Sequence, residues 1–221
     1  MTSDIFTGYR LTGILLILAF ILFAIGAGLP FVGGKGNSAI YMLTAPDNLS
    51  VVAANVTRWR WGNIFMGAAI VPLLVGLSML TMLLEGKERV FSRLGLIGVL
   101  VAAVLWLVFS AFRGVVTVRV AQEMTAAGAG AGATGAAPAF YAPLAQWMFA
   151  LFFIYATLGF LALAAYGISL LQAGLLPAWI GWATLLFSVA MLIVLFIQGD
   201  NLPAFHYLPG VLIGVVLLIQ R

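Results

Sequence analysis

Long apolar runs alternate with short polar segments along this chain of 221 residues. A helix that crosses a bilayer needs about 20 consecutive apolar residues. The runs Leu11–Leu29, Trp61–Leu84, Leu94–Phe112, Leu144–Leu171 and Ala178–Ile197 meet that need. A sixth run, Pro203–Gln220, contains Pro209. Counted from Pro209 it reaches only ~18 Å, and counted from Pro203 it reaches ~27 Å with a kink at the proline. The pattern predicts an all-α fold: an integral membrane six-helix bundle forming a single domain, its last helix kinked at Pro209.

Composition agrees with that reading. Hydrophobic residues make up 64% of the chain and charged residues 7%, against roughly 25% charged in soluble domains. Cysteine is absent, which excludes disulfides, thiolate metal sites and thiol nucleophiles. The net charge of +4 comes from cations scattered over loops and helix ends. No basic stripe forms, so a nucleic-acid partner is not expected. Lipid bilayer, a membrane-protein partner or a second copy of the chain fits better. The run after Arg10 is longer than the ~7–15 residues of a signal-peptide core, so the first run reads as an uncleaved span.

The connections carry most of the polar residues. Span one closes at Pro30 and Gly33-Gly34-Lys35-Gly36. Thr44-Ala45-Pro46-Asp47 has the chemistry of a helix start, with a capping hydroxyl, an early proline and an acid. The helix it opens, Pro46 to Thr57, is either a surface helix or an extension of span two. It leads into Arg58-Trp59-Arg60-Trp61, the alternation expected in the headgroup layer, where indoles lie and guanidiniums reach phosphate. These four are candidate lipid or anionic-ligand contacts, with simple anchoring the plainer reading. Glu85 to Arg93 is the densest charge cluster. Arg113, Arg119 and Glu123 imply that the third helix continues past the bilayer, Arg119 and Glu123 lying one turn apart. The Ala/Gly-rich segment 126–137 reads as a flexible linker.

With six spans, five cations fall on each side of the membrane. The short, dense second loop decides for both termini in the cytoplasm. A faint internal echo links Gly76-Leu77-Ser78-Met79-Leu80 before Leu94-Gly95 with Gly167-Ile168-Ser169-Leu170-Leu171 before Ile180-Gly181. Shared apolar composition accounts for it as well as a repeat does.

Candidate chemistry is sparse. The span interiors hold no Asp, Glu, Lys, Arg or His, the groups that proton relays and ion pathways use at depth. His206 is the single histidine, and with Asp200 nearby it offers an interfacial pair for proton transfer. The plainer expectation is a His that reaches water. A lone imidazole without cysteines makes neither a bis-His haem site nor a zinc site, so no metal is expected. Neither lysine lies in a span, which argues against a retinal Schiff base. Ser and Thr at depth serve helix packing or line a path for a small neutral solute. Ala24-x-x-x-Gly28 and Gly210-x-x-x-Gly214 are small-residue faces for close helix packing, inside the bundle or against another subunit. Aromatics within the spans, such as Phe20, Phe23, Trp106, Phe109, Phe152 and Phe153, pack together or hold a bound lipid, quinone or carotenoid.

Four boundary fragments occur together: Tyr9-Arg10-Leu11-Thr12-Gly13, Ser92-Arg93-Leu94-Gly95-Leu96-Ile97-Gly98, Leu176-Pro177-Ala178-Trp179-Ile180-Gly181-Trp182, and Leu202-Pro203 with Tyr207-Leu208-Pro209-Gly210. In these the chain resembles uncharacterised bacterial six-helix membrane proteins grouped as domain of unknown function 4386. The resemblance implies the bacterial inner membrane and supplies no catalytic residues. The function expected is therefore a structural or accessory subunit without catalysis of its own. The alternatives are a carrier for a small neutral or lipophilic solute and a membrane enzyme using Asp200 and His206.

Overall fold

In a helix the backbone satisfies its own hydrogen bonds, which is what an apolar chain in hydrocarbon requires. The computed structural model describes residues 2–32, 48–84, 89–127 and 138–219. Among them there is no strand, and the fold is an all-α helical bundle. The helices are α1 (Thr2–Gly28), α2 (Asn48–Ala54), α3 (Val56–Ala68), α4 (Ile70–Leu83), α5 (Arg89–Ala111), α6 (Thr117–Ala127), α7 (Tyr141–Ala173), α8 (Ala178–Gln198) and α9 (Leu208–Ile219). Five segments are long and apolar enough to cross a membrane: Thr7–Phe31, Val56–Leu83, Val90–Ala126, Tyr141–Ala173 and Ala178–Gln198. The chain is a multi-pass membrane protein. The expected features at Lys35, Thr44–Asp47, Lys87 and 128–137 lie outside the described residues.

The sixth segment, Pro203–Ile219, is shorter. Pro203–His206 forms a 3-10 turn, Tyr207 follows it, and α9 starts at Leu208. The break thus precedes Pro209, which occupies the first turn of α9. There its missing N–H costs nothing, because first-turn amides have no intrahelical partner. Pro72 acts differently. It lies inside Val56–Leu83 and cannot donate to Ala68, and the helix is interrupted at Ala69, between α3 and α4.

The third span is longer than its apolar run. It continues from α5 through a π-turn, Phe112–Val116, into α6. At 1.5 Å per residue its 37 residues reach ~55 Å, well over the ~30 Å of hydrocarbon. The expected continuation past Phe112 is present. Arg119 and Glu123 pair on its exposed face at 2.6 Å.

By its internal contacts the chain divides into two units. The first comprises Met1–Leu22, Ala68–Leu105 and Phe153–Arg221. Close backbone approach holds it. A Cβ on Gly214 would lie 2.8 Å from the Gly13 carbonyl oxygen, and one on Gly181 would lie 2.9 Å from that of Gly167. Gly174, with φ +62°, ends α7 and turns the chain into α8 through a short link. Gly210 and Gly214, the small-residue pair of the last segment, are both buried. The echo is not repeated in packing, since Gly76 meets Leu16 and Gly95 meets Tyr166. The Tyr166 hydroxyl lies 2.7 Å from Thr81 Oγ1 and donates to the Leu77 carbonyl at 3.1 Å.

The second unit comprises Phe23–Gly67 and Trp106–Phe152. Here the Ala24/Gly28 face does not pack within the unit. Both residues are exposed, and nothing lies within 4 Å of a Cβ on Gly28. Gly26 makes the contact instead, its virtual Cβ lying 2.6 Å from the Gly62 carbonyl oxygen. Two residues along a helix turn the face by ~200°, so the small residues of one face cannot serve the other. We expect Gly214→Ala to destabilise the protein in detergent by ~1–3 kcal/mol through overpacking against backbone. Gly28→Ala should stay within ~0.5 kcal/mol. Denaturant titration of both variants checks the contrast.

Candidate functional site

Two side-chain clusters stand out, one in each unit. In the second unit, the π-turn changes which backbone groups pair. The Thr117 N–H bonds the Phe112 carbonyl, where an α-helix would have directed it to Arg113. The Arg113 carbonyl instead accepts the Trp59 indole N–H at 2.7 Å. The Arg113 guanidinium lies over the Trp59 ring at 4.6 Å and near the Phe109 ring at 5.5 Å. Such cation–π contacts gain strength when desolvated, to ~2 kcal/mol. Both partners are buried, Arg113 to 1% and Trp59 to 2% exposure.

Tyr141 braces the same turn from α7. Its ring stacks on Phe112 with centroids 6.1 Å apart, and its hydroxyl donates to Thr117 Oγ1 at 3.3 Å. A second indole makes the reciprocal link, Trp106 Nε1–H donating to the Met66 carbonyl at 2.9 Å. Asn63 lies between these links and donates to the Trp59 carbonyl at 2.8 Å. The two helices are thus joined by side chains reaching backbone in both directions.

This corrects two expectations. Arg113 is not a solvated cation beyond a span but is buried within a continuous helix. Trp59 is not a headgroup-layer anchor but an interior donor. Trp61 keeps the expected character, 53% exposed with its ring 6.2 Å from Phe65. Arg60 is exposed. The Arg58 guanidinium donates to the Val32 carbonyl. The Arg-Trp alternation therefore splits by helix phase, Trp59 inward and Trp61 outward.

In the first unit, His206 is 3% exposed, so the expected water-reaching imidazole is corrected too. Its ring stacks on Phe160 at 3.9 Å and lies 4.7 Å from Tyr155. Gly159 makes the room, since a Cβ there would sit 2.6 Å from His206 Cδ2. Nε2 donates to the Ala156 carbonyl at 3.2 Å. A carbonyl can only accept, so this bond forms in the tautomer with the hydrogen on Nε2. Nδ1 makes no hydrogen bond of good geometry, although the Pro203 carbonyl interacts with the ring. Neither ring nitrogen is hydrogen-bonded to Asp200, whose Oδ1 accepts from the Asn201 backbone N–H at 2.7 Å. The structure does not assemble the expected Asp–His pair.

Beside His206 is a cavity of about 20 Å³. Leu73, Leu77, Val99, Ala102 and Leu163 supply most of its wall, with Tyr155 and His206 at one side. That space holds about one water molecule and no larger solute. The described residues contain no group of three or more potential metal-ligating side chains. No family model, curated protein or solved structure matches this chain.

Sequence reasoning missed Arg113, Trp106 and Gly159 as site-forming residues. Helical phase would have shown that Trp59, Asn63 and Met66 share a face. Nothing in the sequence marks Gly159 as the opposite wall of the histidine slot. We expect Trp59→Phe to cost ~1–3 kcal/mol, because the Arg113 carbonyl loses its indole donor in a buried setting. Trp61→Phe should cost less than ~0.5 kcal/mol. Gly159→Ala should also destabilise by ~1–3 kcal/mol, and much less in a His206→Ala background. A double-mutant cycle measured by unfolding in detergent reads that coupling.

Proposed function

We propose that this protein is a structural or accessory subunit that packs against other membrane proteins or lipids. The observation that carries the reading is the division of labour between interior and exterior. The longest-range hydrogen bonds inside the units join helices: Trp59 and Trp106 to backbone carbonyls, Tyr166 to Thr81 and Leu77, while Asn63 and Ser188 bond back onto their own helices. The outward faces carry large aliphatic side chains. On α5, Val90, Leu94, Ile97, Val101 and Val104 are all exposed. Their alternating spacing of four and three residues makes a straight ridge, the form that packs into the groove of a neighbouring helix at a shallow crossing angle.

In hydrocarbon such a ridge gains nothing from hydrophobicity alone, since lipid tails are equally apolar. Its value to a partner lies in shape and dispersion. Isolation in mild detergent is expected to yield a defined complex, with another membrane protein or with a second copy. Replacing Ile97 by Trp, at the centre of the ridge, should dissociate that complex without unfolding the chain. A strictly monomeric protein in every mild detergent and in native nanodiscs overturns the proposal.

A further inference from the structure

We propose that the outer face at the start of α3, marked by Arg58, Arg60 and Trp61, binds anionic phospholipid, and that Arg60 supplies the main phosphate contact. The inference concerns the lipid around one helix and holds whether or not the chain has a protein partner. It begins with unspent charge. In the second unit, Glu123 is the acidic residue described, and it is committed to Arg119 at 2.6 Å. Arg113 is buried beneath Trp59 and Phe109. Arg60 is exposed, and the Arg58 guanidinium makes its hydrogen bond to a neutral acceptor, the Val32 carbonyl. Among the described residues neither arginine pairs with a carboxylate.

The setting favours a lipid over a soluble anion. The face between the two arginines carries Trp61, 53% exposed, and Ile64, 54% exposed, with exposed Thr57 one turn before Trp61. At ~100° per residue, Arg58 and Arg60 flank Trp61 on opposite sides of the helix. A phospholipid lying there would place acyl chain and glycerol against Trp61 and Ile64, with its headgroup level with the guanidiniums. Arg58 is held by its carbonyl contact, so less side-chain freedom is lost when its remaining N–H groups meet phosphate. Val32 and Phe31, both exposed, extend the apolar surface beside it. Inorganic phosphate would find the charge but no use for the indole. A zwitterionic lipid would find the indole but bring no net charge.

The test uses the full chain in nanodiscs or detergent micelles and phospholipids with brominated acyl chains. These quench a tryptophan they touch, and the difference between wild type and Trp61→Phe isolates the Trp61 signal. Brominated phosphatidylglycerol is expected to quench Trp61 at a several-fold lower mole fraction than brominated phosphatidylcholine. A juxtamembrane basic residue contributes ~5-fold in lipid preference, so Arg60→Gln, which removes the main contact, should lower the preference ~5-fold, and Arg58→Gln/Arg60→Gln should abolish what is left. Arg60 is exposed and hydrogen-bonds none of the described residues, so its single substitution leaves the fold intact even if the double variant does not assemble. Raised salt should weaken the preference, and millimolar inorganic phosphate should not displace the lipid. Equal quenching by the two lipids in the wild type overturns the proposal. So does an unchanged preference in Arg60→Gln. Displacement by millimolar inorganic phosphate also overturns it, and would reassign the site to a soluble anion.

Discussion

A chain in hydrocarbon has no water to repair a broken backbone hydrogen bond, and this constraint organises the structure. Regular helix meets it without help. Two irregularities do not: the interruption at Ala69 caused by Pro72, and the π-turn at Phe112–Val116. Each lies near a carbonyl that receives an indole N–H. Trp106 reaches Met66, in the last turn before the interruption, and Trp59 reaches Arg113, inside the π-turn. Indole suits the task. It carries one donor and no acceptor, so it satisfies a carbonyl without needing a partner of its own. The rest of the side chain supplies apolar packing.

The same economy explains why these residues do not read as a reactive site. The Arg113 guanidinium faces aromatic rings rather than an open chamber. The ring faces of Trp59 and Phe109 lie against that charge, and the Trp59 contact gives the π-turn a second tie to α3. The imidazole of His206 is likewise enclosed, between Phe160 and Tyr155 and over Gly159. π-turns are frequent at functional sites. In this chain the turn positions a carbonyl for an interhelical bond.

Much of the fold was legible because length and apolarity alone identify spans. Proline marked the end of span one at Pro30, which lies at a helix boundary, as Gly174, Pro177 and Gly199 also do. The small-residue face of α9 was also legible, since Gly210 and Gly214 lie one turn apart and are both buried. Which small residue of α1 packs inside was not legible, because small residues are common throughout, and only the partner helix selects Gly26. The candidate site was legible in part. Arg-Trp alternation identifies a membrane boundary but, without helical phase, does not separate an inward Trp59 from an outward Trp61. Arg113 was missed because a charge at the end of an apolar run reads as the end of the span. Its burial depends on aromatic faces contributed from α3 and α5. The slot for His206 is a tertiary feature made by a missing side chain on α7, which no local pattern in the last segment reports.

The central claim is that the Trp59 indole, rather than solvent, satisfies the backbone at the π-turn. The most direct measurement is hydrogen–deuterium exchange of the indole N–H groups, with the protein labelled by ¹⁵N-tryptophan in a membrane mimetic. The account predicts that the Trp59 and Trp106 indole protons persist long after that of Trp61 has exchanged. A Trp59 indole exchanging as fast as that of Trp61 would contradict it.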